Sequence, residues 1–196
     1  MKNNNLKIFT GIFLIIIFFA KNAFSLDIKF EAENINTTNE NIITATKNIV
    51  ITDKFGAKIF GDKLVINKKN KNYTITDNVI YQNKDNSILI KSEKIFYNEN
   101  DNIISSFGKT SVDQNKKYFL KGEDIFFDRN KNKIYSEKKA LITDSWRNRI
   151  DINEYKILLN DNLLVTENAE LIDSELNTYS IKKLYYEIRQ IYSCVQ

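Results

Sequence analysis

The sequence predicts an all-β fold, a meander of kinked antiparallel strands in two sheets that each bury one apolar face. Three observations predict it. A unit of about 30 residues recurs along the chain, each unit alternates apolar and polar residues with a two-residue period, and Asn/Asp/Lys clusters punctuate the alternation. A helical stripe is absent except over residues 179–192, YSIKKLYYEIRQIY, where strand and helix remain open.

Each unit is centred on an acidic position that follows a small residue. Successive centres lie 29, 31, 30, 31 and 28 residues apart, and the last two units are weaker. Chance rarely maintains such a period, so it indicates an internal repeat. The centres are Glu33, Asp62, Glu93, Glu123, Glu154 and Lys182.

The first half of each unit predicts a strand that bends near the small residue. Apolar residues lie three positions before the centre and two and four positions after it, as in Ile59, Leu64 and Ile66 around Asp62. These positions have opposite parity, so they can face one core only if the strand bulges between them. Gly61 precedes this centre, and a small residue suits a place where backbones approach closely.

The second half of each unit is also typical of a strand. Ile43, Ala45, Ile49 and Ile51 alternate with polar residues. The segments NKKNKN, NENDN and DRNKNK provide turns between the halves. We therefore expect ten or more short strands.

The amino terminus predicts export. Lys2 and Lys7 precede an apolar run over residues 8–20, and Ala23-Phe24-Ser25 provides small residues for cleavage before Leu26. The run is short for a membrane helix, although an uncleaved anchor is the alternative. We expect residues 1–25 to be a signal peptide, 26–186 the β-domain and 187–196 a tail.

Composition disfavours several function classes. Of 29 basic residues, Lys2, Lys7 and Lys21 belong to the signal peptide, which leaves 26 basic against 25 acidic residues, interspersed rather than clustered. A nucleic-acid partner is therefore not expected. The chain has no His and one Cys, Cys194, which excludes histidine-dependent nucleophiles and Cys-rich zinc sites. We predict no catalytic residue, no metal and no cofactor.

The repeats resemble a known family. The pairs FEAENI…IITATKNIVITD, IFGDKLVI…YTITDNVIYQN, IKSEKIFY…IISSFGKTSV and LKGEDIFFD…IYSEKKALITD resemble the OstA-like domain of the lipopolysaccharide transport system. They are most similar to the N-terminal periplasmic domain of LptD-type assembly proteins. The resemblance covers residues 30–142 well and continues more loosely to about 186.

The resemblance implies an open V-shaped β-jellyroll in the periplasm, whose apolar groove shields lipid acyl chains. It implies lipopolysaccharide as ligand, other OstA-like domains as partners through edge-strand pairing, and an outer-membrane barrel or lipoprotein as a further partner. The expected groove-lining residues are Phe30, Ile35, Ile49, Ile51, Ile59, Leu64, Tyr81, Ile90, Ile95, Tyr97, Leu120, Ile125, Phe127 and Ile142.

Several alternatives stay open at this point. The same inward residues would fill the core of a structural or adhesive β-repeat protein, and a hydrolase that uses carboxylates alone is a third, weaker hypothesis. The family's disulfides cannot be transferred, because Cys194 has no second Cys to pair with. The sequence also leaves open whether the chain is a truncated LptD-like protein or a free bridge of the LptA type.

Overall fold

The computed structural model describes residues 28–188, which form fifteen strands joined by antiparallel pairings and no helix. The all-β prediction is therefore confirmed. The expected signal peptide and Cys194 lie outside the described residues. The strands are β1 Lys29–Glu31, β2 Asn34–Asn39, β3 Ile42–Thr52, β4 Lys58–Asn67, β5 Asn72–Gln82, β6 Ile88–Asn98, β7 Ile103–Gln114, β8 Tyr118–Glu123, β9 Phe126–Asp128, β10 Lys133–Ser136, β11 Ala140–Asp144, β12 Arg149–Ile152, β13 Glu154–Leu158, β14 Leu163–Ile172 and β15 Thr178–Glu187.

A line of kinks divides the strands into two half-sheets. The long strands β3 to β7 and β14 run through both, whereas β8/β9, β11/β10 and β12/β13 contribute one strand to each. The first half-sheet ends in the turns at residues 53–57, 83–87, 115–117, 145–148 and 173–177. The second half-sheet ends in the turns at residues 68–71, 99–102, 129–132 and 159–162. The eight strands β7 to β14 form a closed ring, because each pairs with a neighbour on both sides and β7 pairs with both β8 and β9. Strands β1 to β6 extend the sheet from β7 to an open edge.

The predicted kinks occur at the small residues. The register of β4 with β5 shifts between Phe60 and Lys63, and that of β6 with β7 shifts between Ser92 and Lys94. A β-carbon at Gly61 would lie 2.4 Å from Cγ2 of Ile75, which explains why this position is small. The parity change in the sequence therefore predicted the bulges correctly.

The second strand of each unit is kinked as well, which the sequence analysis did not predict. Lys47 and Asn48 have φ of 68° and 50°, and Asp77 and Asn78 have φ of 65° and 54°. Because each kink contains two such left-handed residues, the apolar residues before and after it keep the same odd or even numbering. The alternation in the sequence therefore gives no sign of the kink. Asn and Asp tolerate this conformation better than most residues.

The sheet is folded in two along the kinks. A straight strand of ten residues such as β4 would separate its ends by roughly 30 Å. However, Arg129 in a turn of the second half-sheet pairs with Asp53 in a turn of the first, and Lys117 Nζ donates to Asn162 Oδ1 over 2.8 Å between two other opposing turns. The two apolar faces are thus inside, and we call the line where opposing turns meet the mouth.

Residues 178–187, which the sequence left ambiguous, form strand β15 rather than a helix. β15 pairs with β14 over nine residue pairs, and this pairing overrides the weak helical periodicity. Within residues 28–188, no helix has the length and apolarity needed to cross a membrane.

Candidate functional site: the apolar interior

One row of apolar side chains runs across the whole first half-sheet. Strand pairing aligns eleven aliphatic or aromatic residues on the inner face, with no charged or amide side chain among them. Seven of them were predicted to line a groove, and the other four, Val112, Ile150, Leu171 and Tyr179, were not. The inner row is Phe30, Ile51, Ile59, Tyr81, Ile90, Val112, Leu120, Ile142, Ile150, Leu171 and Tyr179.

The other predicted residues lie on the inner face of the second half-sheet or beside the kink. Ile35, Leu64 and Ile95 share one register row, with Ala45 and Ile75 between them. Tyr97 and Phe127 share the next row through Ile104. Ile49 pairs with Gly61 at the kink, and Ile125 lies between β8 and β9. The structure therefore brings thirteen of the fourteen predicted residues into one hydrophobic cluster, and Ile35 remains outside it.

Burial of the predicted residues is uneven. Twelve of them are at most 4% exposed, Phe30 is half-buried and Ile35 is 55% exposed. Ile35 pairs with buried Ala45 and so faces inward, but its strand β2 is bonded on one side only. Side chains from the two half-sheets contact each other in the centre, as in the edge-to-face pair of Tyr81 and Phe127 with ring centroids 6.1 Å apart.

Several equally buried residues were not among the predicted groove-lining residues, although Ile66 was recognised as an apolar position of the repeat. The alternation in the second half of each unit is the signal that could have found most of them, because their strands follow the same two-residue period. They include Ile66, Tyr73, Ile75, Ile104, Val112, Ile134, Ile150, Ile157 and Leu164.

The mouth is held together by polar bridges. Arg129 lies over the ring of Phe55 at 4.9 Å and pairs with Asp53, and the side chains of this ion pair are only 11% and 7% exposed. Asp53 Oδ1 also accepts hydrogen bonds of 2.9 Å from the amides of Phe55 and Ala57. This buried, multiply bonded pair fixes one end of the mouth.

A second bridge lies near the carboxyl-terminal end of the described chain. The Tyr186 hydroxyl donates to Asp144 Oδ2, and Asn148 Nδ2 donates to the same hydroxyl over 2.9 Å. Burial, together with the hydrogen bond to Asp144, raises the pKa of Tyr186 to about 12. The bridge connects the carboxyl-terminal half of β15, which belongs to the second half-sheet, to a turn of the first.

The interior also contains polar atoms. Ser106 Oγ donates to the Ile125 carbonyl over 2.6 Å, and Thr110 Oγ1 donates to Ser106 Oγ over 3.2 Å. In contrast, the buried hydroxyls of Tyr81, Tyr118 and Tyr155 have no hydrogen-bond partner within the described residues. Burial raises the pKa of all three tyrosines further above its ordinary value, so these groups stay neutral even in alkaline solution.

The acidic centres of the repeat lie at the kinks. Asn78 Nδ2 donates to Asp62 Oδ2 over 2.7 Å, and Asn48 Nδ2 donates to Glu33 Oε1 in the same way one unit earlier. The amide of Gly108 donates to Asp124 Oδ1 over 3.0 Å at a further kink. Acids here stabilise kinked backbone, and over residues 28–188 no cluster of side chains could hold a metal ion.

Two surface grooves follow the kinks on the outer side. Their volumes are about 830 and 560 Å³, and Lys121 contributes to both. Lys91, Lys109, Asp151 and Glu170 also line them, so charges of both signs are present. Their linings also include the buried core residues Val79, Ala140, Ile152 and Ala169, so the grooves reach the edge of the apolar interior.

No protein-family model matches the sequence, and no curated protein matches it. Among solved structures, the chain is similar to LptH from Pseudomonas aeruginosa, the LptA-homologous periplasmic component of the conserved lipopolysaccharide transport device. The TM-score is 0.45 at 18% identity, and the match covers 52% of this chain and 75% of that chain. The functional interpretation therefore depends on the geometry of the inner face.

Proposed function

We propose that this chain is a periplasmic carrier that shields the acyl chains of lipopolysaccharide between its two half-sheets. The observation that carries the proposal is the uninterrupted inner row from Phe30 to Tyr179. This row crosses eleven strands and reaches the surface at both edges, where Phe30 is half-buried and Tyr179 is 46% exposed. The OstA-like pattern of the repeats supports the same function.

The physical benefit of such a row is large. Exposing one methylene to water costs about 0.8 kcal/mol, so a chain of 12 to 14 carbons costs on the order of 10 kcal/mol. A continuous row of aliphatic and aromatic side chains reduces this cost at every position along its length. A bound chain can then slide, and carriage requires no catalytic residue.

Lipid entry requires the half-sheets to separate. The central residues of the inner row are already covered by protein, as Ile90 is 1% and Leu120 is 0% exposed. An acyl chain must therefore replace contacts between the half-sheets, entering at an edge or through the mouth. Replacing one apolar contact by another changes the free energy little, whereas the bridges of the mouth must rearrange.

A photo-crosslinking residue at Ile95 is expected to capture lipopolysaccharide, whereas the same residue at Glu93 is not. Ile95 is 0% exposed on the inner face, while Glu93 lies two residues away at an exposed kink. Gel analysis of irradiated periplasm from cells that express each variant measures the capture. Equal capture at both positions would exclude a lipid site in the interior.

One observation favours a second candidate function, a structural β-repeat protein with a permanently packed core. Twelve predicted lining residues are at most 4% exposed, as the side chains of an ordinary protein core are. Failure of capture at Ile95 in a chain that remains folded and exported would support this alternative.

The open edges are proposed to bind related domains. β1 and β2 pair with β3 only, and β15 pairs with β14 only, so within the described residues one edge of each is free. Free edges are templates for strand addition. The inner row would then continue from one domain into the next.

Ile35→Lys and Tyr179→Lys are each expected to weaken association of the mature chain by about tenfold or more. Both residues are on the inner face of an edge strand, and an inward charge there disfavours pairing with a further strand. Sedimentation velocity over rising concentration measures association. Val65→Lys, at a 43% exposed position away from the edges, is the matched control. A wild-type chain that stays monomeric throughout would contradict the proposed pairing.

A further inference from the structure

The interior contains three tyrosine hydroxyls to which no atom of residues 28–188 is hydrogen-bonded. Tyr81, Tyr118 and Tyr155 are 1%, 3% and 2% exposed, and their hydroxyls have no hydrogen-bond partner within the described residues. Other interior hydroxyls are bonded: Thr166 Oγ1 donates to the Glu154 carbonyl over 2.6 Å. Buried polar side chains are rarely left unpaired in proteins, so such groups require an explanation.

The three tyrosines are distributed over the two half-sheets. Tyr81 is part of the inner row in β5, and Tyr118 begins β8 directly after Lys117, which bridges the mouth. Tyr155 lies in β13 of the second half-sheet. Tyr118 and Tyr155 are close enough that charge on Tyr155 would raise the pKa of Tyr118 further, beyond the larger effect of burial. A chain between the half-sheets at this point would pass both hydroxyls.

Polar groups lie near two of these hydroxyls, but none within residues 28–188 is bonded to them. Tyr155 pairs across its strands with Ser136 and Thr166, whose hydroxyls are already bonded to backbone carbonyls. The ring of Tyr81 contacts that of Phe127, and its hydroxyl is near enough to Arg129 and Asp53 for their charges to affect its pKa. A neutral phenol in such surroundings can donate one hydrogen bond and accept another, but hydrocarbon offers it neither. A binding site that holds unpaired polar groups discriminates strongly against ligands that leave them unpaired.

We propose that the hydroxyls of Tyr81, Tyr118 and Tyr155 bind oxygen atoms along an acyl chain held between the half-sheets. The chain would thus select acyl lipids with a hydroxyl or carbonyl oxygen near the chain over plain hydrocarbon. This inference rests on the proposed function, because it requires a chain to enter the interior. It assigns a specificity that the apolar row alone does not provide.

A matched pair of probes tests the inference: 3-hydroxydodecanoic acid and dodecanoic acid, which share chain length and head group. Equilibrium dialysis against the mature chain measures both dissociation constants. We expect the hydroxylated probe to bind about three- to tenfold more tightly, the ratio that one net hydrogen bond provides. Tyr118→Phe and Tyr155→Phe are expected to bring this ratio close to one, with affinity for dodecanoic acid unchanged or increased.

Tyr73→Phe is the control, because the Tyr73 hydroxyl is already bonded to Glu99. It should leave the probe ratio unchanged. Circular dichroism verifies folding, and Tyr81→Phe provides a further variant if either of the first two fails to fold.

The outcomes separate the two proposals. Tight binding of both probes with a ratio near one in the wild-type chain would overturn the tyrosine assignment and retain the carrier function. A ratio that persists in all Phe variants would also overturn the assignment. Binding of neither probe would overturn the carrier function and, with it, the assignment.

Discussion

Arg129→Met is expected to lower the free energy of unfolding by about 3–5 kcal/mol. The Asp53 carboxylate is 7% exposed, and the substitution removes its cationic partner while leaving the charge buried. Two backbone amides, of Phe55 and Ala57, would still hold Asp53 in place, so the carboxylate cannot easily turn toward water. The guanidinium also loses its contact with the Phe55 ring, whose centroid lies 4.9 Å away.

Urea denaturation monitored by circular dichroism measures this loss. The double variant Asp53→Asn/Arg129→Met should recover most of it, because Asn retains an acceptor for the two amides and buries no charge. Lys131→Met is the matched control in the same turn: its ion pair with Asp128 spans 3.5 Å, and Lys131 is 72% exposed. We expect a loss of no more than about 1 kcal/mol there. A similar small loss for Arg129→Met would show that the bridge does not stabilise the mouth.

A kink in a strand could be predicted wherever the apolar residues before and after it differ in odd or even numbering. Ile59 and Leu64 are both buried although they differ in parity, and this conflict identified the bulge at Gly61 before the structure did. The kink at Lys47 and Asn48 left no such conflict, because two left-handed residues restore the original parity. Asn and Lys are also abundant in the turns, so composition could not distinguish a turn from a kink within a strand.

The sequence predicted which residues face inward, but not whether the two half-sheets pack against each other or leave a groove between them. Alternation shows that Ile95 and Leu120 point inward, yet the same alternation describes a packed core and a groove. Ile35 has the pattern of its buried equivalents, and its exposure follows only from the place of β2 at an edge. The bridge from Asp53 to Arg129 joins residues 76 positions apart and depends on how the half-sheets cross, which no local pattern encodes.

Raising the pH through 10 to 12 is expected to unfold the chain cooperatively. Burial raises the pKa of Tyr97 from 10.0 to about 12, and it raises the pKa of Tyr81, Tyr118 and Tyr155 as well. The folded chain therefore retains these protons to a higher pH than the unfolded chain does. Burial of the neutral tyrosines contributes fully to stability below pH 10, where the folded and unfolded states are both protonated. This contribution decreases above pH 10, as the tyrosines of the unfolded state lose their protons.

The free energy of unfolding is expected to decrease steeply with pH in this range. Each tyrosine that is neutral in the folded state and ionised in the unfolded state lowers the free energy of unfolding by about 1.4 kcal/mol per pH unit. Four such residues give roughly 5 kcal/mol per unit, and a domain is typically stable by only about 5–15 kcal/mol. Ionisation of the buried tyrosines and loss of β-structure should therefore coincide, as measured by tyrosinate absorbance and far-ultraviolet circular dichroism on the same samples. Tyr118→Phe/Tyr155→Phe should reduce the slope by about half, since two of the four groups no longer titrate. If all tyrosines ionise while the β-sheet signal persists, water has access to the interior, and the half-sheets separate without unfolding.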